Sequence, residues 1–174
     1  MVGHGTAGQN APVAEPSTQL SVSRQINAPA ERVWALVTDL ERMGEWSPEN
    51  TGGAWVRGSN GPGPGSRFKG TNRNGKKRWS TEVRVVTFEA PRSFEFDVSA
   101  LGLAVARWGY DIEPVGDRCR VTETWADRRG WLVRTLGGPV SGVAERAEHN
   151  REGMERTLAA LAASAESGDS STAD

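Results

Sequence analysis

One cysteine, two histidines and one tyrosine in 174 residues leave few side chains for metal or nucleophilic chemistry. Cys119 alone cannot form an internal disulfide, which fits a reducing compartment and a cytoplasmic protein. His4 lies in a tail, far from His149, so with one cysteine no zinc site of the Cys/His type is expected, nor any other metal. A Ser–His–acid triad would rest on His149, around which no supporting motif stands. Charge of one sign is also missing: 21 Lys plus Arg meet 22 Asp plus Glu, a formal net charge of −1. No global field then draws the chain to nucleic acid or anionic lipid. No apolar run approaches the ~20 residues of a membrane helix, so stable membrane insertion is not expected. No basic stretch followed by an apolar core opens the chain, so no signal peptide is expected. The Gly/Pro run SNGPGPG at 59–65 is not followed by Gly-Lys-Ser/Thr, so it is read as a loop and not as a phosphate cradle. No cofactor motif is present, and no cofactor is expected.

What the chain does have is tryptophan: seven, with four Phe. Trp combines a large apolar surface with one polar handle. Seven of them in one domain suit either a packed core or the wall of a cavity.

The length suggests one domain with tails. Residues 1–18 are Gly, Ala, Pro, Ser and Thr with little apolar content and read as a disordered tail; 164–174 read the same way, leaving a domain at 19–163. A strand is expected at Gln19–Ile26. Asn27-Ala28-Pro29 then starts a helix, with Pro in its first turn. Val33, Trp34, Leu36, Val37 and Leu40 supply the apolar side of that short helix or helix pair, and 52–57 is a weak strand. From 66 to 127 the chain reads as four strands joined by hairpins. The turns fall at Asn74-Gly75, at 89–92, at Leu101-Gly102-Leu103 and at 114–117.

Residues directly opposite across a hairpin share a face, so register can be tested by charge. With Asn74-Gly75 as a two-residue turn, Arg67 opposes Glu82, although Arg73 then meets Lys76 at the tip. With Glu89 opposite Arg92, Arg84 opposes Asp97. With Val115-Gly116 as the turn, Asp111 opposes Arg120 and Glu113 opposes Arg118. The other face collects Phe68, Trp79, Thr81, Val83, Val85, Phe94, Phe96, Val98, Trp108, Tyr110, Ile112, Cys119, Val121 and Trp125. An odd-length connection at 101–103 keeps Phe96 and Trp108 together. The reading is a sheet with one charged and one aromatic face.

Glu123 breaks the pattern. It falls on the aromatic face between Val121 and Trp125, opposite Trp108 in this register. Such a carboxyl either reaches water at the sheet's open end, pairs with a cation, or anchors something polar inside an apolar pocket, with its pKa raised. The last element is a helix at 139–163. Val140, Val143, Ala147, Met154, Leu158 and Leu161 form its stripe, with Asn150 on the stripe. Asn150 is either satisfied structurally or faces a cavity. Glu145, His149, Glu152 and Arg156 lie on the polar side, which makes His149 a solvated surface residue. Gly142, Ala144 and Ala147 leave space over the sheet, and Met154 adapts to a flexible guest.

This order resembles the START-like (SRPBCC) superfamily, the Bet v 1-like or helix-grip fold. It is most similar to the actinobacterial polyketide cyclase/dehydrase and lipid-transport branch. The resemblance is carried by Ile26-Asn27-Ala28-Pro29-Ala30-Glu31-Arg32-Val33-Trp34, by Gly65-Ser66-Arg67-Phe68-Lys69-Gly70 and by Trp108-Gly109-Tyr110-Asp111-Ile112-Glu113-Pro114. Arg120-Val121-Thr122-Glu123-Thr124-Trp125 and Asn150-Arg151-Glu152-Gly153-Met154-Glu155-Arg156-Thr157-Leu158 complete it. It implies an α+β domain: a curved antiparallel sheet of about seven strands wrapped around the long C-terminal helix, with two short helices after the first strand and a cavity between. It implies no shared catalytic motif, because the superfamily hosts many functions.

Three functions compete. The first is binding or carriage of a hydrophobic small molecule, such as a lipid, sterol, polyketide or aromatic metabolite. Its expected lining is Phe68, Trp79, Thr81, Phe94, Phe96, Trp108, Tyr110, Glu123, Trp125, Asn150 and Met154, with the loop at 59–65 bordering the mouth. The second is a polyketide aromatase/cyclase or dehydratase in the same cavity, with Glu123 as base and Tyr110 as donor. The third is an interaction or stress protein with a vestigial cavity, in which the basic hairpin at 73–78, beside Trp79, touches an anionic partner or membrane; such a run is otherwise a solvated tip. A monomer or weak homodimer is expected.

Overall fold

The structure, a computed structural model, describes residues 19–130 and 146–167. Seven strands form one antiparallel sheet: β1 (Gln19–Ile26), β2 (Asn50–Val56), β3 (Arg67–Asn74), β4 (Lys77–Glu89), β5 (Ser93–Ala100), β6 (Leu103–Val115) and β7 (Arg118–Asp127). Their order is β1-β7-β6-β5-β4-β3-β2. Helix α1 (Ala30–Val37) and a 3-10 turn (Met43–Glu45) carry the chain from one sheet edge to the other, and every later connection up to β7 is a hairpin. Helix α2 (Arg146–Ser167) lies against β1 and β7 and touches α1.

Four turns join five strands between β3 and β7, one strand more than expected. All of the residues expected on the aromatic face do share one face, but two of the turns sit one residue later than expected. Asn74 pairs with Lys77 and Val115 with Arg118, so the turn residues are Gly75-Lys76 and Gly116-Asp117. Gly75 and Gly116 have positive φ while Asn74 does not. Each glycine thus takes the first turn position, where a type II′ turn requires it. The shift moves every pair by two and leaves the faces unchanged. Arg67 now opposes Arg84 and reaches Glu82 diagonally as an ion pair, with Arg57 on the same carboxylate. Asp111 opposes Thr122 and Glu113 opposes Arg120, so the expected Asp111–Arg120 and Glu113–Arg118 pairs do not form.

The Arg84–Asp97 register holds, although Asp97 forms its ion pair with Arg107 on its other side, at 2.8 Å. A bulge after Val85 then sets Glu89 opposite Ser93 instead of Arg92 and turns Phe88 inward against Trp34 and Phe94. Phe96 opposes Trp108 as expected. The odd count comes from a two-residue turn, Leu101-Gly102, plus one bulged residue, Val105 on β6, opposite the step from Val98 to Ser99.

Pro29 caps α1 from outside its first turn, and Ala30, Val33 and Val37 supply the buried side. Met154, Leu158, Leu161 and Ala165 make the buried stripe of α2. The helix therefore passes the expected end of the domain at 163: Ala165 is fully buried, and the Glu166 carboxylate accepts the Asn27 backbone N–H at 2.9 Å. The expected helix start at 139, with Val140 and Val143, lies outside the described residues. The second half of α2 joins α1 and the sheet in one apolar core, whereas Met154 in its first half packs in a smaller cluster with Ala106 and Trp125. Along the first half of α2 the sheet and helix stand apart.

Candidate functional site

The gap is a cavity of about 860 Å³ between the aromatic face and the first half of α2. Alternate residues of a strand share a face, so β4 to β7 offer it Val83, Phe96, Val98, Trp108 and Trp125, and α2 offers Met154. Gly153 keeps the helix side open: a Cβ built there meets no atom within 4 Å. Among the described residues, the mouth is formed by the tips of the β3–β4 and β5–β6 hairpins, by residues 47–50 and by the start of α2. The loop at 59–65, expected at the mouth, contributes no lining residue; it is tied to the far part of the sheet by Gly65 N–H to Val85 O at 3.0 Å.

Of the eleven side chains expected around a ligand, nine line the cavity: Trp79, Thr81, Phe96, Trp108, Tyr110, Glu123, Trp125, Asn150 and Met154. Phe68 and Phe94 do not. Phe68 packs edge-on to Trp55 at 5.3 Å and fills the space left by the absent side chain of Gly53. Phe94 is enclosed by Trp34, Phe88 and Phe96 under α1. Both face the right way, but other elements cover them, and periodicity within a strand does not report what lies above it.

The one-residue turn shift changes the partner of Glu123. It faces Tyr110 directly across the β6–β7 ladder, not Trp108. The Tyr110 hydroxyl donates to Glu123 Oε1 at 3.0 Å, while Oε2 is buried without a hydrogen-bond partner among the described residues. Glu123 is 2% exposed. Burial pushes its carboxyl up to about 8, against a smaller downward pull from the Tyr110 hydrogen bond, and no charged neighbour contributes. The acid therefore keeps its proton at neutral pH. Burial, and then the adjacent carboxyl, pushes the Tyr110 hydroxyl up as well. Asn150 is also buried, and its Nδ2 has no partner among the described residues. The lining is mainly apolar, and its buried polar side chains are Tyr110, Glu123, Asn150 and Thr157; Glu123 and Asn150 each hold a hydrogen-bonding atom without a partner among the described residues.

His149 is not the solvated residue its place on the helix suggested. Its Nε2 lies 2.8 Å from Glu49 Oε1, and both residues line the cavity near the mouth. Residue 49 lies a hundred positions earlier, outside any periodic element, so the sequence carries no signal for the pair. Gly142 and Ala144, expected to leave space over the sheet, lie outside the described residues, as does the side chain of Ala147. Among the described residues, no group of three or more His, Cys, Asp or Glu side chains is placed to hold a metal ion.

A family model described as polyketide cyclase/dehydrase and lipid transport matches residues 17–166. The chain belongs to that family. Solved structures agree on the fold. A polyketide-cyclase-like protein of Corynebacterium glutamicum is 29% identical, with a TM-score of 0.59 over 84% of this chain and 91% of its own. A START superfamily protein of Mycobacterium smegmatis is 16% identical, with a TM-score of 0.64 over 86% and 97%. The di-domain ARO/CYC StfQ of the steffimycin biosynthetic pathway is 10% identical, with a TM-score of 0.67; the match covers 88% of this chain and 52% of StfQ. No curated protein matches by sequence. As a family member the chain has the helix-grip fold, and no helix among its described residues is long and apolar enough to cross a membrane.

Proposed function

We propose that this protein binds a hydrophobic small molecule of the lipid, sterol, polyketide or aromatic kind in the cavity between sheet and helix, with Glu123, Tyr110 and Asn150 meeting its polar end. The observation that carries this reading is the cavity itself: about 860 Å³ of space inside the fold, walled by Trp, Phe, Val and Met with a few buried polar side chains. Ligand sites combine an apolar lining and a few placed polar groups in this way. A well-packed core has no such space. Buried polar atoms without partners cost on the order of 1–3 kcal/mol each, which a bound hydroxyl or carbonyl would recover. Native mass spectrometry of protein purified from its own host tests the reading, with a co-purified small molecule as the expected result. A protein that comes free of ligand, and whose Trp emission responds to no fatty acid, sterol or polycyclic aromatic, would defeat it.

A second reading is favoured by Glu123 alone. A carboxyl held protonated by burial and hydrogen-bonded to a tyrosine is an acid suited to proton transfer near neutral pH. That is what cyclisation or water loss on a polyketide requires. In this reading Glu123→Gln abolishes turnover and leaves binding intact; in the carrier reading the same change has nothing to abolish.

A further inference from the structure

Two hairpins frame the cavity mouth, and each breaks a local rule in a way that the fold does not explain. At the tip of β5–β6, Leu101 has a φ of 51° and is 100% exposed, and Leu103 is 55% exposed. A two-residue turn favours Asn, Asp or Gly at such a position, and a leucine there gains no burial in return. Among the described residues, the other large apolar side chains in the open, Val86 and Val115, each stand alone on their strands. At the tip of β3–β4, Arg73 opposes Arg78 directly and Lys76 and Lys77 lie between them. Like charges directly opposite are destabilising. All four cations are exposed, and none forms an ion pair among the described residues. Violations of local preference concentrate where a surface serves something other than folding. Trp79, half-buried on the cavity lining, adds an amphipathic ring beside the basic tip.

We propose that the two hairpin tips form a docking surface for an anionic lipid bilayer, with Leu101 and Leu103 entering the acyl boundary and Arg73, Lys76, Lys77 and Arg78 holding the headgroups. The charges suit a negative surface and the leucines suit its apolar layer, and that combination fits a membrane better than a soluble acidic protein. No spanning segment is needed. Because both tips line the mouth, docking places the opening of the cavity against the bilayer, so that an apolar ligand passes between them without crossing water. The inference concerns the rim of the cavity, where Arg73, Trp79, Leu101 and Leu103 also line the opening, and it does not use Glu123, Tyr110 or Asn150, the residues proposed to meet the ligand's polar end.

Co-sedimentation of the full chain with vesicles tests it, using phosphatidylcholine alone and with about 30 mol % phosphatidylglycerol. The expected result is binding to the anionic vesicles that weakens in about 0.5 M NaCl, since exposed charges are screened there. Leu101→Asn with Leu103→Asn should weaken it at least tenfold, given about tenfold per buried leucine. Asn is favoured at turn position 101, and Leu103 is an exposed strand end with little burial to lose, so this double variant keeps the fold. Lys76→Glu with Lys77→Glu should weaken it further at low salt than at high salt. The quenching of Trp emission by an aromatic probe such as 2-acetylanthracene, measured without vesicles, should be unchanged in the lysine double variant, since neither Lys76 nor Lys77 lines the cavity. Absence of binding to anionic vesicles, equal binding to both vesicle types, or undiminished binding by the leucine variant each overturns the proposal. So does loss of probe binding in the lysine variant, which would mean that the charge reversal acts through the fold or the cavity and not through docking. A chain that docks on vesicles but takes up no probe would instead defeat the cavity reading and leave the docking surface standing.

Discussion

Tyr110 and Glu123 sit directly opposite each other on β6 and β7, and the tyrosine hydroxyl donates to Glu123 Oε1 at 3.0 Å inside the apolar cavity. The carboxyl pKa is raised from 4.5 to about 8 in the folded chain. An acid whose folded pKa lies above its unfolded one binds more protons in the native state, so stability falls as pH rises between the two values. The cost is absent below about 4.5 and fully present above about 8; in between it grows to a few kcal/mol. Urea midpoints should therefore drop from pH 5 to pH 8. Glu123→Gln, neutral at every pH, should flatten that slope and be the more stable protein at the alkaline end. Equal slopes for the two proteins would show that the carboxyl is not the buried acid described.

Tyr110→Phe isolates the hydrogen bond. The bond pulls the Glu123 pKa down, so its loss should raise that pKa further, and the carboxyl carbon titration seen by NMR should move to higher pH. The variant also leaves Oε1 without its partner, which should cost about 1–3 kcal/mol of stability. A titration that moves down would mean that an approaching charge or solvent replaces the hydroxyl.

The two faces of the sheet were legible in the sequence because side-chain alternation survives a turn that moves by one residue. The pairs themselves were not. Opposite charges at Asp111 and Arg120, or at Glu113 and Arg118, fit a turn at Val115-Gly116, and what decides against it is the positive φ at the first turn position, which Gly116 supplies. Glu123 was legible as an acid on the aromatic face for the same reason, while its partner moved from Trp108 to Tyr110 with the turn. Phe68 and Phe94 were placed on the wall because their cover comes from other elements, β2 and α1, which the period within a strand does not report. The His149–Glu49 contact joins a helix to a stretch that has no period at all.

That division between cavity wall and covered core makes a matched pair of truncations informative. Phe94→Ala empties space in a core enclosed on all sides and should cost about 3–5 kcal/mol. Trp108→Ala removes a partly buried ring that already borders open space, so it should cost less stability and more affinity for a bound aromatic. Urea melts and Trp-emission titrations with one polycyclic probe measure both quantities. If the two variants lose stability equally, the cavity is packed in solution and the distinction collapses.

Gly153 offers the sharpest separation of binding from folding. It sits mid-helix on α2, lines the cavity, and a Cβ there meets nothing within 4 Å. A glycine inside a helix is worse than an ordinary helix former by roughly 0.5–1 kcal/mol, so its presence costs stability that the fold does not require. Gly153→Leu should restore helix propensity and bring apolar surface into the empty space, leaving the protein as stable as the wild type or more so. The same side chain would occupy volume that a ligand needs, so affinity for a polycyclic probe should fall at least tenfold while the melting midpoint holds or rises. Gly153→Ala, which adds a single methyl, should show the stability gain with little loss of binding. Should the leucine variant unfold more easily, the space above Gly153 is not open in solution. If it is stable and still binds the probe with unchanged affinity, the ligand does not occupy this part of the cavity, and the polar end of the site at Glu123 must be approached from the sheet side alone.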